Sequence, residues 1–196
     1  MKIGVLISGR GSNLQSLINA QLSGQLSAEI VTVISNVPDV EGLERAAKAG
    51  IAHTVVNHKE FDRREDFDEA LYKVLKPAGV DLICLAGFMR ILGNDFVNRW
   101  RDKVINIHPS LLPSFKGLHT HHRALEAGAR FAGCTVHFVR AALDDGPIIS
   151  QAVVPILPDD TPQSLAARVL RLEHKTYPTA VRMIAEGQIK IEGKRV

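Results

Sequence analysis

Three short segments of this chain carry the kinds of side chain that chemistry at a carbonyl group requires. The first is NIHPS (Asn106–Ser110), which closes the apolar run Lys103–Ile107. Strand side chains alternate between faces, so Asn106 and His108 are expected to point the same way, about 7 Å apart. An amide N–H and an imidazolium aimed at one carbonyl oxygen make an oxyanion-stabilising pair, the element that usually contributes most in acyl transfer. A histidine before a proline at a strand end also fits a plain loop residue, and the spacing alone leaves both readings open.

The second segment, LDDGP (Leu143–Pro147), offers Asp144 and Asp145. Adjacent carboxylates beside a Gly-Pro pair are most often turn formers. One that reached His108 would stabilise the cationic ring next to a developing oxyanion and give an amine proton somewhere to go. The third segment, SGRGSNL (Ser8–Leu14), lies where a strand ends and a helix begins, so free N–H groups and the positive helix end converge on one point, a natural phosphate cradle. It lacks the third glycine of a dinucleotide fingerprint and the Lys-Ser/Thr pair of a Walker loop, which disfavours a dinucleotide. The plainer alternative is a glycine turn capped by Ser12 or Asn13.

His119, His121 and His122 lie close to these segments in sequence, but their spacing is not that of a structural zinc site. Cys84 and Cys134 are far apart and embedded in apolar stretches, so they read as buried packing residues. No metal is expected, and the three histidines read as solvated positions on a loop.

Elements able to position these side chains follow from hydrophobic periodicity. Lys2–Ser8, Glu29–Ser35, Ile51–Val56, Asp81–Leu85 and Lys103–Ile107 read as strands. Between them Ser12–Leu22, Glu41–Ala49, Arg64–Leu75 and Asn94–Trp100 read as helices. The alternation predicts a doubly wound α/β fold, a mostly parallel sheet with helices on both faces. His108–Thr120, with two prolines, two serines and no clean period, reads as a long loop or lid. A short helix over Thr120–Ala127 is expected next, then strands at Cys134–Val139 and Ile148–Val154 flanking the LDDGP turn. The longest helix starts at Thr161-Pro162 with a cap residue and a proline in the first turn. Pro178 offers a place for a kink, and Gln188–Ile191 is expected to return as an edge strand. The turn at Leu112-Pro113 is a candidate cis peptide.

At 196 residues the chain has room for one core, and a single domain over 1–196 is expected, with no linker, repeat or low-complexity segment. Charged residues make up 23% and hydrophobic ones 45%, which argues against disorder, collagen and a disulfide scaffold. The formal charge of +3 is spread among alternating signs, as in Lys59–Asp66, so neither a nucleic acid nor a membrane partner is expected. The opening MKIGVLISG is too short for a signal peptide or membrane span, and the cytoplasm follows by default.

Taken together, SGRGSNL, LAGFMRIL (Leu85–Leu92), INIHPSLLP (Ile105–Pro113), GLHTH (Gly117–His121) and LDDGP resemble the glycinamide ribonucleotide formyltransferases, folate-dependent enzymes of purine synthesis. The resemblance spans nearly the whole chain. It implies a Rossmann-like formyltransferase fold with a ribonucleotide-binding half over about 1–100 and a catalytic, folate-binding half over about 101–196. It implies that Asn106, His108 and Asp144 are the catalytic trio, that Gly11, Ser12 and Asn13 hold the ribonucleotide phosphate, and that Glu173 faces that substrate. For the co-substrate 10-formyltetrahydrofolate it implies Arg64 near the glutamate tail. Met89, Arg90, Ile91, Leu92, Asn106 and the run Arg140, Ala141, Ala142, Leu143, Asp144 would surround the pterin. For Met89 and Leu92 simple core packing is the alternative.

No metal, nicotinamide or covalent enzyme intermediate is implied, and the partners would be the two small-molecule substrates, with the protein a monomer or homodimer. Two departures stand out: Asp145 occupies a position where relatives commonly carry glycine, and Arg10 falls at a variable place in the phosphate loop. Formyltetrahydrofolate hydrolases and methionyl-tRNA formyltransferases share the folate half, but each usually adds a further domain for which 196 residues leave no room. A non-catalytic nucleotide-binding module would have no need of an oxyanion pair backed by a carboxylate.

Overall fold

The computed structural model describes residues 1–196. Its frame is one sheet of seven strands in the order β3-β2-β1-β4-β5-β6-β7. The strands are β1 (Lys2–Ile7), β2 (Glu29–Ser35), β3 (His53–Val55), β4 (Leu82–Leu85), β5 (Val104–His108), β6 (Phe131–Phe138) and β7 (Ile148–Pro155). The first five run parallel, and β6 lies antiparallel between β5 and β7. The helices are α1 (Ser12–Leu22), α2 (Glu41–Lys48), α3 (Arg64–Leu75), α4 (Asn94–Arg99), α5 (Thr120–Glu126) and α6 (Pro162–Ala185).

The alternation of side chains sorts the core into two layers. Ile3, Val5 and Ile7 of β1, Leu82 and Cys84 of β4, Ile105 and Ile107 of β5, and Ala132, Cys134, Val136 and Phe138 of β6 belong to one cluster. It is closed by Leu14 and Leu17 of α1 and by Leu165, Val169 and Tyr177 of α6. Leu6, Ile83, Leu85 and Val104 face the other way, against Phe67, Leu71 and Leu75 of α3 and Phe96, Val97 and Trp100 around α4. This is the arrangement expected for strands that are apolar on both faces. By the same alternation, Asn106, His108 and His137 share the second face, beyond the reach of α3 and α4.

The order in which strands are added reverses about β1, which has β2 on one side and β4 on the other. In open α/β sheets, ligands bind at such a switch point, at the carboxyl edge of the strands. Here that edge collects the turn after β1, the loop after β4 and the loop after β5. The first and last belong to segments singled out by their chemistry, and the loop after β4 to one singled out by the family resemblance.

The helix α6 begins as its sequence predicts: the Thr161 hydroxyl accepts from Ser164 N at 3.1 Å, the Ser164 hydroxyl accepts from Thr161 N at 2.9 Å, and Pro162 is the first helical residue. It continues through Pro178 to Ala185, anchored by Tyr177, whose hydroxyl donates to Leu85 O at 2.9 Å inside the core. The expected edge strand over Gln188–Ile191 does not form. The tail makes only a bridge between Glu192 and Arg195, because Gly187 turns the chain at a positive φ and Gly193 tightens it into a local turn. Leu112-Pro113 is cis.

Candidate active site

The strand pairing of β5 with β6 sets Asn106 directly opposite His137 and His108 opposite Thr135. The Asn106 amide Nδ2 lies 3.4 Å from His137 Nε2. Asp144 comes in from the β6–β7 turn, with one carboxylate oxygen 3.5 Å from His108 Nδ1 and the other 3.7 Å from His137 Nε2. Asn106, His108 and Asp144 therefore meet in one place, and His137 completes the group. Asp144 reaches inward because its backbone takes a left-handed conformation, φ 47°, which aspartate tolerates better than most residues.

His137 was not among the residues singled out in the sequence, although its strand partner was. Burial pushes its imidazole pKa down, outweighing the opposing effects of the Phe138 carbonyl and the Asp144 carboxylate. The neutral ring places its proton on Nδ1, which donates to Phe138 O at 3.0 Å, and this leaves Nε2 as an acceptor. Nε2 can then take one hydrogen of the Asn106 amide. The second hydrogen stays free, and the amide is oriented with its nitrogen toward the shared space.

His108 is buried, and its ring is bracketed by oxygens: Nε2 faces Phe115 O at 3.1 Å and Nδ1 faces Asp144. A ring with protons on both nitrogens donates to both. Asp144 in turn accepts from Gly117 N at 2.9 Å. The 109–119 segment is thus tied to the catalytic group at two points. Lys116 also pairs with Asp145, which Lys194 of the tail approaches at 3.4 Å. Asp145 is consequently engaged at the surface, and Asp144 is the aspartate that faces the histidines.

The turn after β1 follows the phosphate-cradle expectation in its backbone and departs from it in its side chains. Gly11 is the cap of α1, at φ 68°, and contributes no side-chain cap bond. Neither Ser12 nor Asn13 caps the helix, because both lie inside its first turn. The first-turn N–H groups therefore remain available to an anion. Asn13 instead points inward, where Nδ2 donates to Glu173 Oε2 at 2.7 Å and Oδ1 is buried without a partner. Burial raises the Glu173 carboxyl pKa, more than the Asn13 bond lowers it. Asn13 and Glu173 thus form a buried, hydrogen-bonded pair beside the cradle, with one amide oxygen unpartnered.

Gly42 of α2 was not anticipated. Its N–H donates to Gly9 O at 3.1 Å, and a Cβ on it would sit 2.8 Å from that oxygen and 2.4 Å from Ile7 Cδ1. A Cβ on Gly11 would come within 2.7 Å of Gly42 Cα, so two helix starts meet through paired glycines. Arg45 braces the turn from outside, with Nε donating to Arg10 O at 2.8 Å. A surface cavity of about 1060 Å³ runs between α1 and α6 and shares Ser12 with this turn, but none of Asn106, His108, His137 and Asp144 lines it.

The loop after β4 divides its residues. Leu92 is buried in the α3–α4 layer, whereas Met89 and Ile91 are more than half exposed, as are Leu118 and Leu143 across the opening. Core packing therefore accounts for Leu92 and not for Met89. Arg64, at the start of α3, has its side-chain stem 3.7 Å from the Cβ position of Gly93, at the far end of this loop. Arg90 and Arg64 both lie near the buried carboxylate of Asp68. Arg140 pairs with Asp102 and crosses the Phe138 ring at 6.0 Å. Ala141–Leu143 leads from it into the Asp144 turn. Of the three adjacent histidines, His122 pairs with Glu126 at 3.1 Å on α5, while His121 is half-buried with Nδ1 unpartnered, against the solvated expectation. No three His, Cys, Asp or Glu side chains converge as metal ligands, and no helix is long and apolar enough to cross a membrane.

Comparison with known proteins agrees with this geometry. Residues 1–181 match the model of the formyl transferase family. The phosphoribosylglycinamide formyltransferase of Escherichia coli is 45% identical over 97% of this chain and 90% of its own. The trifunctional purine biosynthetic protein adenosine-3 of Gallus gallus is 50% identical over 97% of this chain, which spans only 19% of that longer protein. The crystal structure of glycinamide ribonucleotide transformylase 1 from Symbiobacterium toebii superposes with a TM-score of 0.98 at 47% identity, covering 100% of this chain and 92% of its own. This chain belongs to the formyl transferase family, alongside its phosphoribosylglycinamide formyltransferase members.

Proposed function

We propose that this protein transfers the formyl group of 10-formyltetrahydrofolate to the amine of glycinamide ribonucleotide, giving formylglycinamide ribonucleotide and tetrahydrofolate in purine biosynthesis. The observation that carries this reading is the meeting of Asn106, His108, His137 and Asp144 at the sheet edge that also bears the glycine turn and an exposed apolar rim. A phosphorylated acceptor suits the first-turn N–H groups around Gly11, Ser12 and Asn13, with Glu173 beside it. A flat, partly apolar donor suits Met89, Ile91 and Leu143, with Arg64 and Arg90 as cations for its glutamate tail. Arg140, Ala141, Ala142 and Leu92 form the surrounding frame.

The amine attacks the formyl carbon and the carbonyl electrons move to oxygen. That oxyanion accepts the free amide hydrogen of Asn106 and shares with Asp144 the Nδ1–H of His108, charge-assisted bonds between buried side chains. Asp144 takes a proton from the ammonium that the attack leaves on the tetrahedral intermediate. Collapse of the intermediate re-forms the carbonyl and breaks the bond from carbon to the folate nitrogen, which takes the proton held by Asp144 and leaves as tetrahydrofolate, returning the carboxylate. Proximity and oxyanion stabilisation supply the rate gain. Both substrates are small and diffusible, and the protein acts in the cytoplasm as a single catalytic unit over residues 1–196.

Tetrahydrofolate release, followed by absorbance with and without glycinamide ribonucleotide, tests this. Release that depends on the ribonucleotide, and disappears with unphosphorylated glycinamide riboside, is expected. Equal release in buffer alone would assign a hydrolase instead.

A further inference from the structure

One hydrogen-bonded chain joins the two halves of the site, and it starts at a residue outside the catalytic and phosphate-binding groups. Ser8 is the first residue after β1, at the mouth of the glycine turn. Its Oγ accepts from Met89 N at 2.7 Å, on the exposed loop after β4. It also lies 2.5 Å from Asn36 Oδ1, at the carboxyl end of β2.

The direction of the first two bonds follows from their partners. A backbone N–H can only donate, so the Ser8 oxygen receives from Met89 and its own hydrogen must go to Asn36 Oδ1. His58 Nδ1 lies 2.9 Å from the Asn36 backbone carbonyl, which can only accept, so the ring donates there, and it packs 3.1 Å from the Asn36 side-chain nitrogen. Asn36 is 1% exposed, so breaking the chain would leave a buried amide unsatisfied. The far end of the same loop is held separately, by Gly93 N donating to Asp68 Oδ2 at 2.7 Å. Of the two anchors, Ser8 is the one that belongs to the glycine turn.

We infer that Ser8 is a positioning residue that couples the two substrate sites, so that filling the phosphate cradle rigidifies residues 87–91 and strengthens folate binding. This deepens the proposed function and rests on it. Ser8 opens the turn that carries the cradle and its hydroxyl holds the folate loop at Met89 N, so ordering either reduces what remains to be ordered in the other, and the effect is reciprocal.

Calorimetric titration of the whole protein with tetrahydrofolate, with and without saturating glycinamide ribonucleotide, reads the coupling directly. The parent protein is expected to bind tetrahydrofolate at least about fivefold more tightly when the ribonucleotide is present, the size of a net hydrogen bond of about 1 kcal/mol. Ser8→Ala loses that enhancement, Ser8→Thr keeps it, and in the steady state Ser8→Ala raises the folate KM while kcat stays within a few-fold. Coupling that is absent in the parent, or intact in Ser8→Ala, overturns the inference. Failure of either ligand to bind the parent alone refutes the proposed function instead. Hydrogen exchange at the Met89 amide gives a readout that needs no variant: ribonucleotide alone should slow it at least about fivefold, and unchanged exchange counts against the coupling.

Discussion

Replacing Asp144 by Asn removes one negative charge and almost nothing else. The amide oxygen can still accept from Gly117 N, the contact now made at 2.9 Å, so the 109–119 segment keeps its anchor. What is lost is the attraction between the carboxylate and a His108 cation 3.5 Å away, and the acceptor for the amine proton. At an effective dielectric constant of about 20 the charge pair amounts to roughly 5 kcal/mol. Each 1.36 kcal/mol is a factor of ten in rate, so the full electrostatic loss would be three to four decades, which meets the ~10²–10⁴-fold typical of removing a general acid or base. Single-turnover formyl transfer should therefore slow by ~10²–10⁴, while calorimetric affinity for the ribonucleotide stays within about threefold because the phosphate turn is untouched. A single-turnover rate within threefold of the parent would refute the role given to this carboxylate.

Three more expectations follow from individual contacts. His137→Leu removes the acceptor that orients the Asn106 amide, and kcat should fall about tenfold with folate KM little changed, the scale of one lost hydrogen bond; unchanged kcat would separate His137 from the reaction. Glu173→Gln should raise the thermal midpoint at about pH 8. The folded state holds this carboxyl above its ordinary range, so it binds the proton more readily than the unfolded chain does, and stability falls as pH rises from the ordinary glutamate value through the raised one. The gain should vanish below that window, and equal midpoints at all pH values would contradict the burial argument. Gly42→Ala drives a methyl group into Gly9 O and Ile7 Cδ1, so urea unfolding should show a loss of about 1–3 kcal/mol and the ribonucleotide KM should rise; a neutral result would mean the paired helix starts can separate freely.

The regularities that sequence exposes are those with a period. Glu29–Ser35 and Arg64–Leu75 form over the ranges their patterns predict, because strands apolar on both faces and helices with one apolar stripe are local properties. Strand alternation was enough to place Asn106 and His108 on one face, but their joining with Asp144 was implied only by the family resemblance, since the composition of LDDGP by itself read as a turn. His137 stayed hidden since its role depends on which residue of β6 pairs with Asn106, a register set by antiparallel pairing across more than twenty residues of lid and helix. An alternating TVHF with histidine between apolar neighbours was the available signal, and it would have placed that side chain off the core face. Ser8, Asn36 and Gly42 depend on contacts between turns that only the assembled sheet edge brings together. The tail went the other way: Gln188–Ile191 has strand-like residues, but neighbouring glycines at positive φ turn it before it can pair.

The account centres on Asn106, His108 and Asp144 acting together on one formyl carbon. Its most direct test is a mutant cycle in single-turnover formyl transfer using Asn106→Ala, His108→Ala, Asp144→Asn and their combinations. Groups that work as a unit are strongly non-additive, so the triple variant should be little slower than the slowest single one. Losses that simply multiply, each substitution contributing its own factor independently, would contradict it.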